Sequence, residues 1–244
     1  VEQVDQAVAK LHLPEEIPVE VSFLETVKER LIQNGIDHLE ALGVTDILVI
    51  PLFVSSGSTH VDEISYALGV KDAPDKETDL KPFRMKARVH FGSPLDDGED
   101  VACMVWDKVR PLSADPAREV ILLVGHGSVH NGFFQRWEQG ISSLARTVQS
   151  VSGIITDHAL LNPESVYDKA AYWNQERGHD VIVAPLFLSS GYFTSHIIPK
   201  RLQGLEYRYS GDPLLPHPLL TSWMDRQVRE LLQSVQKQAR SSHR

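Results

Sequence analysis

Apolar runs and polar breaks alternate along this 244-residue chain in a pattern that occurs twice. In the first half, Val4 to Leu11 reads as the end of a helix. Val19 to Leu24, VEVSFL, alternates and is rich in β-branched residues, which predicts a strand ending at Glu25. Val27, Leu31, Ile32, Ile36, Leu39 and Leu42 recur close to helical spacing, and Gly43 closes that helix. Ile47 to Ile50 is a continuous apolar run bounded by turn residues, the pattern of a buried parallel strand. Val61 to Leu68 is helical in pattern. Gly69 to Phe83 is polar and rich in Pro, Asp and Lys, a surface insertion. A short strand at Ala87 to Phe91 and a helix through Cys103 and Trp106 to Val109 complete the half.

The second half follows the same order. Val120 to Val124, VILLV, predicts a strand running into Gly125-His126-Gly127-Ser128, then a helix from Phe133 to Val148. Gly153 to Leu160 predicts a strand, and Asn162-Pro163-Glu164 opens a helix that ends at Gly178. Val181 to Ala184 and Leu205 to Tyr209 predict strands, and a last helix runs through Trp223 to Leu232. The polar tail to Arg244 reads as frayed.

The two halves share short motifs in register. PLFVSSG at Pro51 and PLFLSSG at Pro185 stand 134 positions apart, and each leads to a histidine, His60 or His196. Gly-x-Pro-Leu recurs at Gly92 and Gly211, an offset of 119, and the difference is close to the length of the 69–83 insertion. Two convergent α/β units would not reproduce these motifs in this order, so an internal duplication is inferred. The expected fold is α/β, with two lobes at residues 1–111 and 120–244 joined by a linker at 112–119. The VILLVGHGS segment has no partner in the first half, and repeat arithmetic places that partner before Val1, in a further strand and turn of roughly 15–20 residues.

Composition narrows the class. No stretch approaches the length of a membrane span, and the first residues lack the apolar run of a signal peptide. A cytoplasmic protein with no membrane partner is the default. The net charge of −9 argues against a nucleic-acid groove. Cys103 stands alone, which excludes an intrachain disulfide and a Cys-rich zinc or iron–sulfur motif.

The candidate chemistry is imidazole chemistry at strand ends, where open α/β sheets place their sites. His126 lies in a Gly-His-Gly turn, and His60 and His196 lie in the loops past two core strands. Two neutral imidazoles at one sheet edge can bind a first-row divalent metal. Glu25, at the end of its strand, adds a carboxylate on the edge expected for His60, or is a plain surface charge. Asp62 and Glu63 read as a helix-start charge pair. His217, in Leu-Leu-Pro-His-Pro, serves either a proline-braced turn or a substrate contact. His12, His38, His90, His130, His158, His179 and His243 carry no pattern and read as structural or solvated. The four tryptophans read as core, and Arg136, Lys200 and Arg201 as solvated charge that could meet an anion.

LLVGHGS, PLFLSSG with its histidine, PLFVSSGSTHVDEI and GDPLLPHPLL resemble the class II tetrapyrrole chelatases over nearly the whole chain, in particular the CbiX-like sirohydrochlorin cobaltochelatases and ferrochelatases. The resemblance implies two flavodoxin-like lobes facing across a cleft, in the fused tandem form. It implies insertion of Fe²⁺ or Co²⁺ into sirohydrochlorin, an anionic tetrapyrrole, without ATP, in sirohaem or cobalamin biosynthesis. By motif, the metal-handling histidines map onto His126 and His196, the second also onto His60, and a carboxylate maps onto Glu25. No tightly bound cofactor and no iron–sulfur cluster is implied; the metal is a substrate. A monomer with an internal pseudo-dimer follows from the tandem. The sequence departs from the family pattern in three places: the first half shows no HGS turn, the His196 loop is longer by two residues, and the second half lacks the carboxylate. The alternatives are a two-lobed metal or tetrapyrrole binding protein without turnover, and catalysis by one lobe with the other as scaffold.

Overall fold

A computed structural model describes residues 1–14 and 16–241. The chain forms two compact units. One comprises residues 1–52, 59–93 and 220–244, and the other residues 53–58 and 94–219. Unit and repeat are different divisions of the chain. The last helix of the first repeat counts with the second unit, and the last helix of the second repeat counts, from Leu220, with the first.

The second unit is a four-stranded parallel sheet. Its strands are β3 (Glu119–Gly127), β4 (Ile155–Asn162), β5 (Asp180–Pro185) and β6 (Tyr207–Arg208), in the order β4-β3-β5-β6. Central β3 is apolar on both faces, and Val120 to Val124 are fully buried. Val120, Leu122 and Val124 pack into a cluster with Val166 and Ala170 of α6 (Val166–Ala171) and with Ile198 of α7 (Ile198–Arg201). On the opposite face, Trp137 and Ile141 of α5 (Phe133–Ser152) close over Gly125. Helix α5 buries Phe133, Trp137, Ile141, Leu144 and Val148, one apolar stripe at helical spacing. Helix α4 (Glu99–Val109) packs beside it with Val101, Met104 and Val105 buried. A near-continuous apolar strand between two helical layers is what a parallel sheet requires, because both of its faces are covered.

The repeat has a structural echo. The Leu95 N–H donates to the Phe53 carbonyl at 2.9 Å, and the Leu214 N–H donates to the Phe187 carbonyl at 2.8 Å. The Gly-x-Pro-Leu turn therefore braces the Pro-Leu-Phe strand end in both copies.

The first unit holds a parallel pair, β1 (Asp46–Val49) with β2 (Arg88–Phe91), together with α1 (Glu2–Val8), α2 (Ile32–Ala41) and α3 (Thr59–Ala67). The strand expected at 19–24 does not form. Among the described residues no strand of this unit takes the central place that β3 takes in the other, so 19–24 has no ladder to join. It makes one parallel bridge, Phe23 to Leu31. Arg30 holds the segment instead: it stacks on Phe23, donates to the Val21 carbonyl and forms a two-pronged pair with Asp5 of α1. The expected Val27–Leu42 helix is broken at Leu31, whose extended backbone separates a short 3₁₀ turn at Lys28–Arg30 from α2.

The last helix, α8, spans Pro218–Ser241, and so takes in most of the stretch that the sequence reads as a frayed tail. Residues 242–244, His243 among them, lie outside the described residues.

Candidate metal centre

The sheet order places a topological switch at the carboxyl ends of β3 and β5. The chain leaves β3 toward β4 on one side and leaves β5 toward β6 on the other. Ligands of open α/β sheets bind in the crevice that such a reversal creates. His126 is the last residue but one of β3 at that point, and His196 lies past the end of β5.

The Gly-His-Gly turn is fixed by Gly127. Its φ is +74°, and a Cβ there would lie 2.1 Å from the Asn162 carbonyl oxygen of the neighbouring strand. No other residue allows both the left-handed backbone and the close approach. The Asn162 side-chain amide donates to the His126 carbonyl at 3.3 Å and fastens the turn to β4.

The half-buried His126 ring is held by its own turn. Nδ1 lies 3.0 Å from the Gly127 carbonyl. A carbonyl can only accept, so Nδ1 carries a proton, and in the neutral ring the lone pair is on Nε2. A backbone carbonyl on one ring nitrogen is the usual support for an imidazole that ligates through the other.

His196 is exposed and lies within a π-helical turn, Phe193–Ile197, rather than in an open loop. An aromatic chain connects it to His126. Phe193 meets His126 edge-on at 5.0 Å, Tyr192 lies next to Phe193 at 6.3 Å, and His196 stacks on Tyr192 at 5.4 Å. The structure thus brings His126 and His196 to one aromatic segment at the switch point.

His60 is likewise helical, the second residue of α3. It borders an open hollow of about 300 Å³ with Glu63, Lys76 and Thr78. Its Nδ1 lies 2.6 Å from Glu63 Oε1, and the other Glu63 oxygen accepts from the Thr78 hydroxyl at 2.6 Å. Glu25 is exposed in the turn at 24–26, and among the described residues no hydrogen bond or ion pair joins it to His60. A carboxylate that does bond His60 is Glu63.

The expected charge pair at the start of α3 therefore has two separate duties. Buried Asp62 accepts from Lys71 Nζ and from the backbone N–H groups of Asp75 and Lys76. It ties the 69–83 insertion to the helix. Glu63 orients His60 and links it to Thr78 of the insertion. The signal for Glu63 was its i, i+3 spacing from His60 on one helix.

The remaining histidines are structural where described partners exist. His12 pairs with Asp225, His38 with Glu20, His90 with Asp46 and His158 with Glu138. His217 accepts the Leu219 N–H at Nδ1, which caps the start of α8, and its Nε2 faces Asp107 at 3.3 Å. Burial pushes its pKa down, against the pull of Asp107. The proline-braced turn is thus its role here. Burial, with Glu99 and Asp107 nearby, pushes the Cys103 thiol up, away from thiolate ligation. Among the described residues no group of three or more His, Cys, Asp or Glu is arranged to hold a metal ion. Two imidazoles with open positions are what the switch point offers.

A family model for CbiX matches the chain twice, over residues 1–112 and 120–231. The chain belongs to the CbiX family. The double match agrees with the internal duplication. A sirohydrochlorin ferrochelatase of Bacillus subtilis (strain 168) is 22% identical over 182 residues, which cover 74% of this chain and 66% of that enzyme, just under two thirds of its length. Among solved structures, SirB from Bacillus subtilis with Fe³⁺ superposes with a TM-score of 0.70 at 19% identity, over 94% of this chain and 87% of that one. The sirohydrochlorin chelatase SirB from Bacillus subtilis subspecies spizizenii in complex with cobalt gives 0.68 at 19% identity, over 98% and 93%. These likenesses establish a chelatase-like α/β fold for this CbiX-family chain.

Proposed function

We propose that this protein is a sirohydrochlorin chelatase that inserts Fe²⁺ or Co²⁺ into the macrocycle without ATP, in sirohaem or cobalamin biosynthesis. The observation that carries the reading is the His126 ring. It lies at the switch point of a CbiX-family sheet, with Nδ1 tied to the Gly127 carbonyl. His196 reaches the same aromatic segment from the next strand.

The chemistry follows from that geometry. A metal to be passed on must be held by few ligands with open positions, not enclosed in a four-ligand cage. Two neutral imidazoles meet this need and suit iron and cobalt alike. The macrocycle must also lose two pyrrole protons, and an imidazole accepts a proton near neutral pH. His126 and His196 share these tasks in the second unit. His60 and Glu25, with Glu63 holding the His60 ring, are the corresponding set in the first unit. We further take the chain to act as a cytoplasmic monomer with neither membrane nor nucleic acid as partner. Among the described residues no helix is long and apolar enough to cross a membrane.

The test is anaerobic mixing of the protein with sirohydrochlorin and Co²⁺ or Fe²⁺, followed by visible absorbance. Catalysed conversion to the metallated spectrum above the spontaneous rate supports the reading. A protein that binds both components without accelerating conversion is a carrier and refutes it.

A further inference from the structure

The His196 segment is longer than its counterpart by two residues, and those residues are aromatic. Gly57-Ser58-Thr59-His60 in the first copy aligns with Gly191-Tyr192-Phe193-Thr194-Ser195-His196 in the second, so Tyr192 and Phe193 are the addition. The extra length is taken up as the π-helical turn Phe193–Ile197, a form that absorbs inserted residues and recurs at functional sites.

The inserted rings are not used to fill the core. Tyr192 is 67% exposed and Phe193 37% exposed, while Val129, next to the Gly-His-Gly turn, is 72% exposed. Yet the rings are ordered against one another. Phe193 stacks on Phe187 at 5.9 Å with an interplanar angle of 17°, and Tyr192 stacks on His196 at 5.4 Å and 21°. Stacked aromatic rings left open to water, set between two imidazoles, form a surface suited to a flat conjugated molecule. The exposed Lys200 and Arg201 follow on α7, with Arg201 also 3.5 Å from Glu164, and supply positive charge for an anionic periphery.

We infer that Tyr192 and Phe193 form an aromatic platform that receives one face of the tetrapyrrole and positions it over the imidazole pair. The inference rests on the chelatase reading and deepens it: these two residues set macrocycle affinity, not metal affinity. They are positioning residues, and the reacting groups stay His126 and His196.

Two measurements on the full chain test this. The first is a titration of metal-free sirohydrochlorin, read by absorbance and fluorescence quenching. The second is steady-state Co²⁺ insertion, with Co²⁺ affinity measured separately by calorimetry. Tyr192→Ala and Phe193→Leu each raise the Kd and the KM for sirohydrochlorin by roughly three- to tenfold, the value of one aromatic contact. In both variants Co²⁺ affinity stays near wild type. Tyr192→Phe keeps the ring and restores wild-type binding. Unchanged Kd and KM in Tyr192→Ala overturn the platform, and so does a loss confined to Co²⁺ affinity or to the melting temperature. If the wild type binds sirohydrochlorin but inserts no metal, the chelatase reading fails while the titration still decides the platform. A wild type that does not bind sirohydrochlorin overturns both.

Discussion

Glu119 is the group whose removal has the most calculable consequence. It opens β3 and is fully buried, at 0% exposure. Its carboxylate accepts from the Ser113 hydroxyl at 2.5 Å, the Ala114 and Asp115 N–H groups at 2.6 and 2.9 Å, and the Arg208 guanidinium at 2.6 Å. Burial alone would raise its pKa. The hydroxyl, the two backbone donors and Arg208 outweigh it and bring the pKa from 4.5 down to about 2. At about 1.4 kcal/mol per pKa unit, the folded state favours the ionised form by roughly 3 kcal/mol. Glu119→Gln keeps the shape and can keep most of the hydrogen bonds, but it loses the charge opposite Arg208. We expect a loss of about 2–3 kcal/mol at pH 7, and about 3–5 kcal/mol for Glu119→Ala, which strands the guanidinium and two backbone donors. Urea unfolding from pH 7 down to pH 2 is the assay. Because the folded pKa is depressed, the contribution is complete above 4.5 and is lost as pH falls toward about 2. The stability gap between wild type and Glu119→Gln must therefore close over that range. A gap under about 0.5 kcal/mol at pH 7, or one that persists unchanged at pH 2, refutes the reasoning.

Two further substitutions probe the site's supports. Gly127→Ala adds a methyl group against the Asn162 carbonyl in a left-handed turn. It should cost at least about 1–2 kcal/mol in thermal unfolding and lower Co²⁺ affinity, because the turn that orients His126 must shift. Asp62→Asn removes the charge that gathers Lys71 and the 75–76 backbone. Limited proteolysis should then cut within 69–83 faster than in the wild type, while the second unit stays intact.

The parts of this fold that were legible in the sequence are those where one local pattern settles the outcome. VILLV can be little else than a strand buried on both faces, and the α5 stripe from Phe133 to Val148 can bury only one side. The 19–24 segment misled because alternation reports which face is apolar, not whether a hydrogen-bonding neighbour exists. Helix α8 ran past its last apolar turn because Gln, Lys and Arg sustain a helix without supplying a burial signal. Within the site, the repeat pointed to His60 and His196, since duplicated motifs stand out from any background, and the Gly-His-Gly turn at a strand end pointed to His126. The repeat did not separate Asp62 from Glu63. Adjacent helical residues point about 100° apart, so Asp62 gathers Lys71 and the 75–76 backbone while Glu63 meets His60 and Thr78. The assignment of α4 and α8 to the opposite units was out of reach as well, because periodicity gives a helix its buried face but not its partner.

The central claim is that the imidazoles of His126 and His196 handle the metal during insertion. The most direct test is the rate of anaerobic Co²⁺ insertion into sirohydrochlorin by His126→Ala, His196→Ala and His60→Ala, each checked for native folding by circular dichroism. The account predicts a fall of about 100-fold or more in His126→Ala and in His196→Ala, with a smaller fall in His60→Ala. Wild-type rates in the first two variants, with insertion abolished in His60→Ala, would place the reaction in the first unit and contradict it.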